Sequence, residues 1–170
     1  MANIYLVGFM GTGKTAVGRE VARQLNQQFI DLDSRIEKGE GKKISQIFSE
    51  EGEAYFRNLE KQALKQIAAG AGWVVSCGGG IILDNDNIRM MKETGSMVCL
   101  TSRPQVILMR TQAYGHRPLL NVDNPAEKIE ELLKMRAPFY AQADYTIDTS
   151  DLTIAEVVNK VLTYVRGKNA

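Results

Sequence analysis

Apolar residues concentrate in short runs along the chain, and between several of the runs they recur every three or four residues. Ile4-Tyr5-Leu6-Val7 predicts a strand over about 3–7. Val17, Val21, Ala22 and Leu25 then share one helical stripe, which predicts a helix over about 14–26. Phe29-Ile30-Asp31 reads as a short second strand. A helix is expected from Ser34, where Ser34-x-x-Glu37 has the form of a capping box, to the break at Gly39-Glu40-Gly41. Lys43 to Phe48 predicts a short helix. A longer one follows over about 52–69, with Phe56, Leu59, Ala63 and Ile67 on one face and Gly70-Ala71-Gly72 as its stop.

Trp73-Val74-Val75-Ser76-Cys77 is apolar enough for a strand buried on both faces. After Gly78-Gly79-Gly80 a helix is predicted over about 84–93, ended by Gly95. Met97-Val98-Cys99-Leu100 is a fourth strand, and Pro104 opens a helix over about 104–110. Thr111 to Asp123 is polar and irregular. Asn124-Pro125-x-Glu127 restarts a helix with an asparagine cap. Tyr145 to Asp148 is a fifth strand, and Thr153-x-x-Glu156 caps a last helix over about 154–166. Strands alternating with helices imply an α/β fold, a parallel sheet with helices on both faces. Ligands of such sheets bind beyond the carboxyl ends of the strands, so the residues just after each strand carry the chemistry.

Composition narrows the classes. A length of 170 residues suits one domain, and 44% hydrophobic residues can fill its core. The net charge of +1 argues against nucleic acid or an anionic membrane as partner. Cys77 and Cys99 have no metal-ligand spacing and read as reduced core thiols, which fits a cytoplasmic protein. Neither a signal-peptide pattern nor a membrane-length apolar run is present, and His116 is expected at the surface.

Candidate chemistry begins after the first strand. Gly8-Phe9-Met10-Gly11-Thr12-Gly13-Lys14-Thr15, set between strand and helix, is a Walker A phosphate loop. The backbone of Gly11, Thr12 and Gly13 can turn its N–H groups toward phosphates, and the helix opening at Lys14, Thr15 and Ala16 adds the positive end of its dipole. Lys14 brings a charge to the β/γ-phosphates, and Thr15 is placed to ligate Mg²⁺. Asp31 and Asp33, two apart in extended backbone, point to one side. One of them can hold the metal while the other orients or deprotonates a hydroxyl. The three glycines at 78–80 let a ligand approach the backbone. Arg57 lies beside Phe56, and Arg136 is in phase with the apolar positions Ile129, Leu132 and Leu133. Arginine forks at such positions suit a carboxylate, although Arg136 also reads as a cation at a helix C-terminus near Pro138. Arg110 and Arg117 bracket the irregular stretch, expected to be a lid over about 110–123.

In order and spacing, these pieces resemble shikimate kinase over the whole chain. The match rests on the phosphate loop, Phe29-x-Asp31-x-Asp33, Phe56-Arg57-x-x-Glu60, Gly78-Gly79-Gly80, Arg117-Pro118-Leu119-Leu120 and Arg136-x-x-x-Tyr140. The resemblance implies a nucleoside-monophosphate-kinase-like fold with sheet order 2-3-1-4-5 and a single domain over 1–170, with substrate binding centred on about 32–60. It implies ATP-dependent phosphorylation of the shikimate 3-hydroxyl, in the route to aromatic amino acids. Asp33 is then the candidate base. Arg57, Arg136 and the backbone at Gly79 and Gly80 hold the substrate. Thr15 and Asp31 serve Mg²⁺, Lys14 and Arg117 serve transfer, and Arg110 joins the nucleotide site. A monomer is expected. One departure is the stretch Asp148-Thr149-Ser150-Asp151-Leu152, which lacks the side chain that many members supply to adenine.

Two other readings remain open on sequence grounds. One is a kinase of another hydroxy acid such as gluconate. The other is a nucleotide-dependent switch, against which stands the absence of an Asn-Lys-x-Asp guanine motif; Asn159-Lys160 is followed by Val161-Leu162.

Overall fold

The computed structural model describes residues 1–113 and 120–168. Its centre is one five-stranded parallel sheet of order β2-β3-β1-β4-β5. The strands are β1 (Asn3–Val7), β2 (Gln28–Asp31), β3 (Trp73–Ser76), β4 (Gly95–Thr101) and β5 (Tyr145–Asp148). The helices are α1 (Lys14–Leu25), α2 (Leu32–Glu40), α3 (Ile44–Glu51), α4 (Glu53–Ala68), α5 (Asn85–Thr94), α6 (Pro104–Gln112), α7 (Pro125–Tyr140) and α8 (Ile154–Lys168), with a 3-10 turn at Ile81–Leu83.

β1 is the middle strand, and all five of its residues are buried. Its side chains alternate between the two faces. Ile4 and Leu6 join a core with Val17, Val21, Val157 and Val161 from α1 and α8. Tyr5 and Val7 join the opposite core with Phe56, Leu64, Ile88 and Met91 from α4 and α5. A third, smaller cluster packs Phe9 against Ile107, Ile129 and Leu132, so the loop after β1 is anchored to α6 and α7. Gly8 is required there: its φ is +138°, and a Cβ would overlap the Leu100 carbonyl oxygen of β4. The phosphate loop is thus held at the middle of the sheet's carboxyl edge.

Several expectations need correction. The Ser34–Glu37 capping box does not form. α2 starts two residues earlier, with Asp31 as its cap, the Asp31 carboxylate accepting from the Ser34 N–H at 3.0 Å. Glu37 instead accepts from the Ile44 N–H, at 3.0 Å, tying α2 to α3. α2 runs through Gly39 and ends at Glu40, with Gly41 left-handed at φ 65°. α6 continues past Arg110 to Gln112, which puts Arg110 on a helix rather than in a loop. α7 continues through Pro138 to Tyr140 and has no basic residue in its last turn, so the reading of Arg136 as a C-terminal cation fails. The capping at Asn124 and the reciprocal Thr153–Glu156 box form as expected. Cys77 and Cys99 are buried and free. Among the described residues, no helix is long and apolar enough to cross a membrane.

Candidate active site

A cleft of about 1300 Å³ opens along the carboxyl edge of the sheet. The phosphate loop forms its floor. Gly11 and Gly13 take left-handed φ values of 77° and 91°, which bend the loop into a concave backbone. Thr12 is buried and donates to the Phe9 carbonyl at 2.7 Å. Lys14 donates to the carbonyls of Gly8 and Phe9 at 2.8 and 2.9 Å, holding its charge over the loop. Ala16, on the first turn of α1, lines the same floor.

Thr15 donates to Asp31 at 2.8 Å, and its hydroxyl lies 3.3 Å from that of Ser76. This set of hard oxygens fits Mg²⁺, which takes one or two protein ligands and keeps water and phosphate for the rest. Among the described residues, no group of three or more His, Cys, Asp or Glu forms a fuller metal cage. Asp33 reaches the cleft by a different route from the one expected. It sits in the first turn of α2 rather than in extended strand, yet it shares the cleft with Asp31 because Asp31 caps that helix.

One end of the cleft is built around the triple glycine that follows β3. A Cβ on Gly78 would come within 2.9 Å of the Asp33 carboxylate and 2.8 Å of that of Glu60. A Cβ on Gly79 would lie 3.2 Å from the Arg136 guanidinium, and one on Gly80 would overlap the Arg57 guanidinium. Each glycine is therefore the space that an acid or arginine occupies. Arg136 is 2% exposed, with its guanidinium over the Phe9 ring at 5.5 Å. Its Nε is buried without a hydrogen-bond partner among the described residues. A buried cation with an open donor beside an open backbone suits an anionic ligand. Arg57 donates to Glu60 at 3.0 Å and to the exposed Glu53 at 3.2 Å. An incoming carboxylate can replace Glu53 at small cost, because exposed pairs contribute about 0–1 kcal/mol.

Glu60 and Tyr140 were legible only as parts of motifs, with no role attached. Glu60 is 1% exposed on the buried stripe of α4 with Phe56, Ala63, Leu64 and Ile67. A carboxylate in phase with that stripe was the available signal. Burial pushes its carboxyl up to about 7, outweighing the neighbouring Arg57, which pulls it down; Asp33 adds to the rise. The folded state therefore holds this proton more tightly than the unfolded chain. Its contribution to stability falls as pH rises from about 4.5 through 7. Ligand-free Glu60→Gln should gain stability relative to the native protein between pH 5 and pH 8, by up to about 3 kcal/mol. Thermal melts of both proteins at the two pH values test this, and a difference that does not move with pH would contradict it.

The far end of the cleft passes Arg110, which donates to the Gly11 carbonyl at 3.2 Å and to the Thr149 carbonyl at 3.1 Å. Arg110 thereby ties the phosphate loop to the turn after β5. Leu152 and Ile154 line this end and offer apolar surface. Arg117 and residues 114–119 of the expected lid lie outside the described residues. All the other expected site residues line this one cleft: Gly11, Thr12, Gly13, Lys14, Thr15, Ala16, Asp31, Asp33, Arg57, Gly79, Gly80, Arg110 and Arg136.

Comparison with known proteins points to one family. The shikimate kinase family model matches residues 10–166. A shikimate kinase from Thermoanaerobacter pseudethanolicus is 48% identical over 169 residues, 99% of each chain. One from Caldanaerobacter subterraneus is 46% identical over 169 residues, again 99% of each. The solved structure of shikimate kinase from Acinetobacter baumannii in complex with shikimate superposes with a TM-score of 0.94 at 39% identity, covering 99% of this chain and 94% of that one. A gluconokinase from Sinorhizobium meliloti matches at TM-score 0.59 and 17% identity, which shows a shared fold alone. With the family model covering most of its length and full-length relatives near half identity, the chain belongs to the shikimate kinase family.

Proposed function

We propose that the protein transfers the γ-phosphoryl group of ATP to the 3-hydroxyl of shikimate, giving shikimate 3-phosphate and ADP. The observation that carries this reading is the two-ended cleft, with the phosphate loop at one end and Asp33, Arg57, Arg136 and the triple glycine at the other. Residues 1–170 act as one kinase domain, working as a monomer in the cytoplasm.

ATP lies with its phosphates on the backbone of Gly11 to Ala16, and Lys14 turns from its own loop carbonyls to the β/γ-oxygens. The adenine rests between Arg110 and the apolar surface of Leu152 and Ile154, so no further side chain after β5 is needed. Thr15 and Asp31 are the residues that would hold Mg²⁺, which supplies charge neutralisation at the phosphates. Shikimate puts its carboxylate between Arg57 and Arg136, against the Gly79–Gly80 backbone. Two-point contact at both arginines fixes the ring, which aims the 3-hydroxyl at the phosphate loop. Asp33 accepts that hydroxyl's proton as the oxygen attacks phosphorus, and Lys14 and Arg117 spread the charge of transfer. Closure of a lid that includes Arg117 excludes water as a competing acceptor.

The test is ADP release with ATP and Mg²⁺ while shikimate, gluconate or a nucleoside monophosphate is added in turn. A rate rise with shikimate is expected. The reading is lost if shikimate gives none, or if gluconate gives the larger rise.

A further inference from the structure

The peptide joining Gly79 to Gly80 lies between two cations, Arg136 on the Gly79 side and Arg57 on the Gly80 side. Glycine leaves such a peptide free to rotate, since neither residue has a Cβ to restrict it. A flipped peptide would exchange its N–H for its carbonyl beside an incoming anion. The structure contains a device against that flip. The Tyr140 hydroxyl donates to the Gly79 carbonyl at 2.6 Å. A planar peptide points its carbonyl and the next N–H in opposite directions. Holding the Gly79 oxygen toward α7 therefore turns the Gly80 N–H away from α7.

Tyr140 is one helical turn beyond Arg136, and the two side chains meet on the same face of α7. The Arg136 guanidinium is near enough to the Tyr140 oxygen to pull its pKa down. One side chain thus holds the glycine backbone and neighbours the buried arginine. Burial raises the hydroxyl's pKa to about 12, more than Arg136 lowers it, so the proton donated to Gly79 stays in place throughout the neutral range.

We propose that Tyr140 is a positioning residue that sets the Gly79–Gly80 peptide and Arg136 together as one anchor for the carboxylate of the acceptor. It touches neither the reacting hydroxyl nor ATP. This rests on the reading of shikimate as acceptor, and the experiment separates the two.

Tyr140→Phe removes only the hydroxyl and keeps the ring in its packing. The KM for shikimate should rise about tenfold, the loss expected for one buried hydrogen bond. The kcat and the KM for ATP should stay within about twofold, because nothing at the donor end is touched. The methyl ester of shikimate, which lacks the carboxylate charge, should be used about equally by both proteins. In a double-mutant cycle with Arg136→Ala, the two effects should sum to less than their separate values. An unchanged shikimate KM would overturn the proposal, and so would an equal loss with the ester. A variant that fails to fold, or that loses kcat and both KM values together, would show Tyr140 supporting the fold and would also overturn it. If the native protein does not phosphorylate shikimate at all, the functional reading fails first and is identified as the one at fault.

Discussion

Asp33→Asn should leave the protein folded and lower kcat with shikimate about a thousandfold, the middle of the range for a positioned proton acceptor. The substitution separates two roles that an alanine would merge. Asparagine can still hydrogen-bond and orient a hydroxyl, but it cannot take its proton. The fold tolerates the change because Asp33 sits half-buried in the first turn of α2, where the cap comes from Asp31. Losing the negative charge near that helix N-terminus costs about 0.3–1 kcal/mol. The checks are steady-state kinetics and a thermal melt. The KM for ATP should be nearly unchanged, since the phosphate loop and Thr15 have their own partners. A variant retaining a tenth or more of kcat would mean that Asp33 only orients the hydroxyl.

Arg136→Ala should raise the KM for shikimate about fiftyfold while ATP binding without shikimate is largely kept. The size follows from hydrogen bonds to a charged group, worth about 1.5–3 kcal/mol each. If both arginines hold the carboxylate as proposed, burial should make Arg136 the stronger anchor. Arg136 is 2% exposed, whereas Arg57 is partly exposed and already shared between Glu60 and Glu53. Arg136→Lys serves as the companion variant. It keeps the charge but loses the planar fork, so it should recover only part of the loss. Arg136 also lies over Phe9, whose backbone carbonyl receives Lys14. ATP binding is therefore the necessary control, best measured by calorimetry. A folded Arg136→Ala enzyme with unchanged shikimate kinetics would refute the carboxylate role.

The phosphate loop was legible from residues alone, because its work is local: glycines that permit left-handed backbone, a lysine and a threonine at fixed offsets, and a helix that starts there. Strand positions were equally legible: the apolar runs of β1, β3 and β4 suit strands buried in a parallel sheet, and the shorter β2 and β5 form its edges. Asp31 and Asp33 share the cleft, but not through the extended backbone their spacing suggests, because the chain turns into α2 at Leu32. Helix starts depend on which carboxylate reaches which N–H, and Asp31, Ser34 and Glu37 were all plausible in the sequence.

Glu60 and Tyr140 show the other limit. Their motif neighbours pointed to Arg57 and Arg136, but nothing in one dimension brings Glu60 to Gly78 or Tyr140 to Gly79. Those contacts span 18 and 61 positions and exist only because α4 and α7 pack across the same face of the sheet. By itself, the sequence determined that this chain cradles a nucleotide's phosphates at the end of its first strand and belongs to an α/β fold, since both follow from short-range backbone and burial rules. Only the tertiary structure decided how the other end of the cleft is built. Its charged groups come from α2, α4 and α7, and they fit where glycines 78–80 leave room.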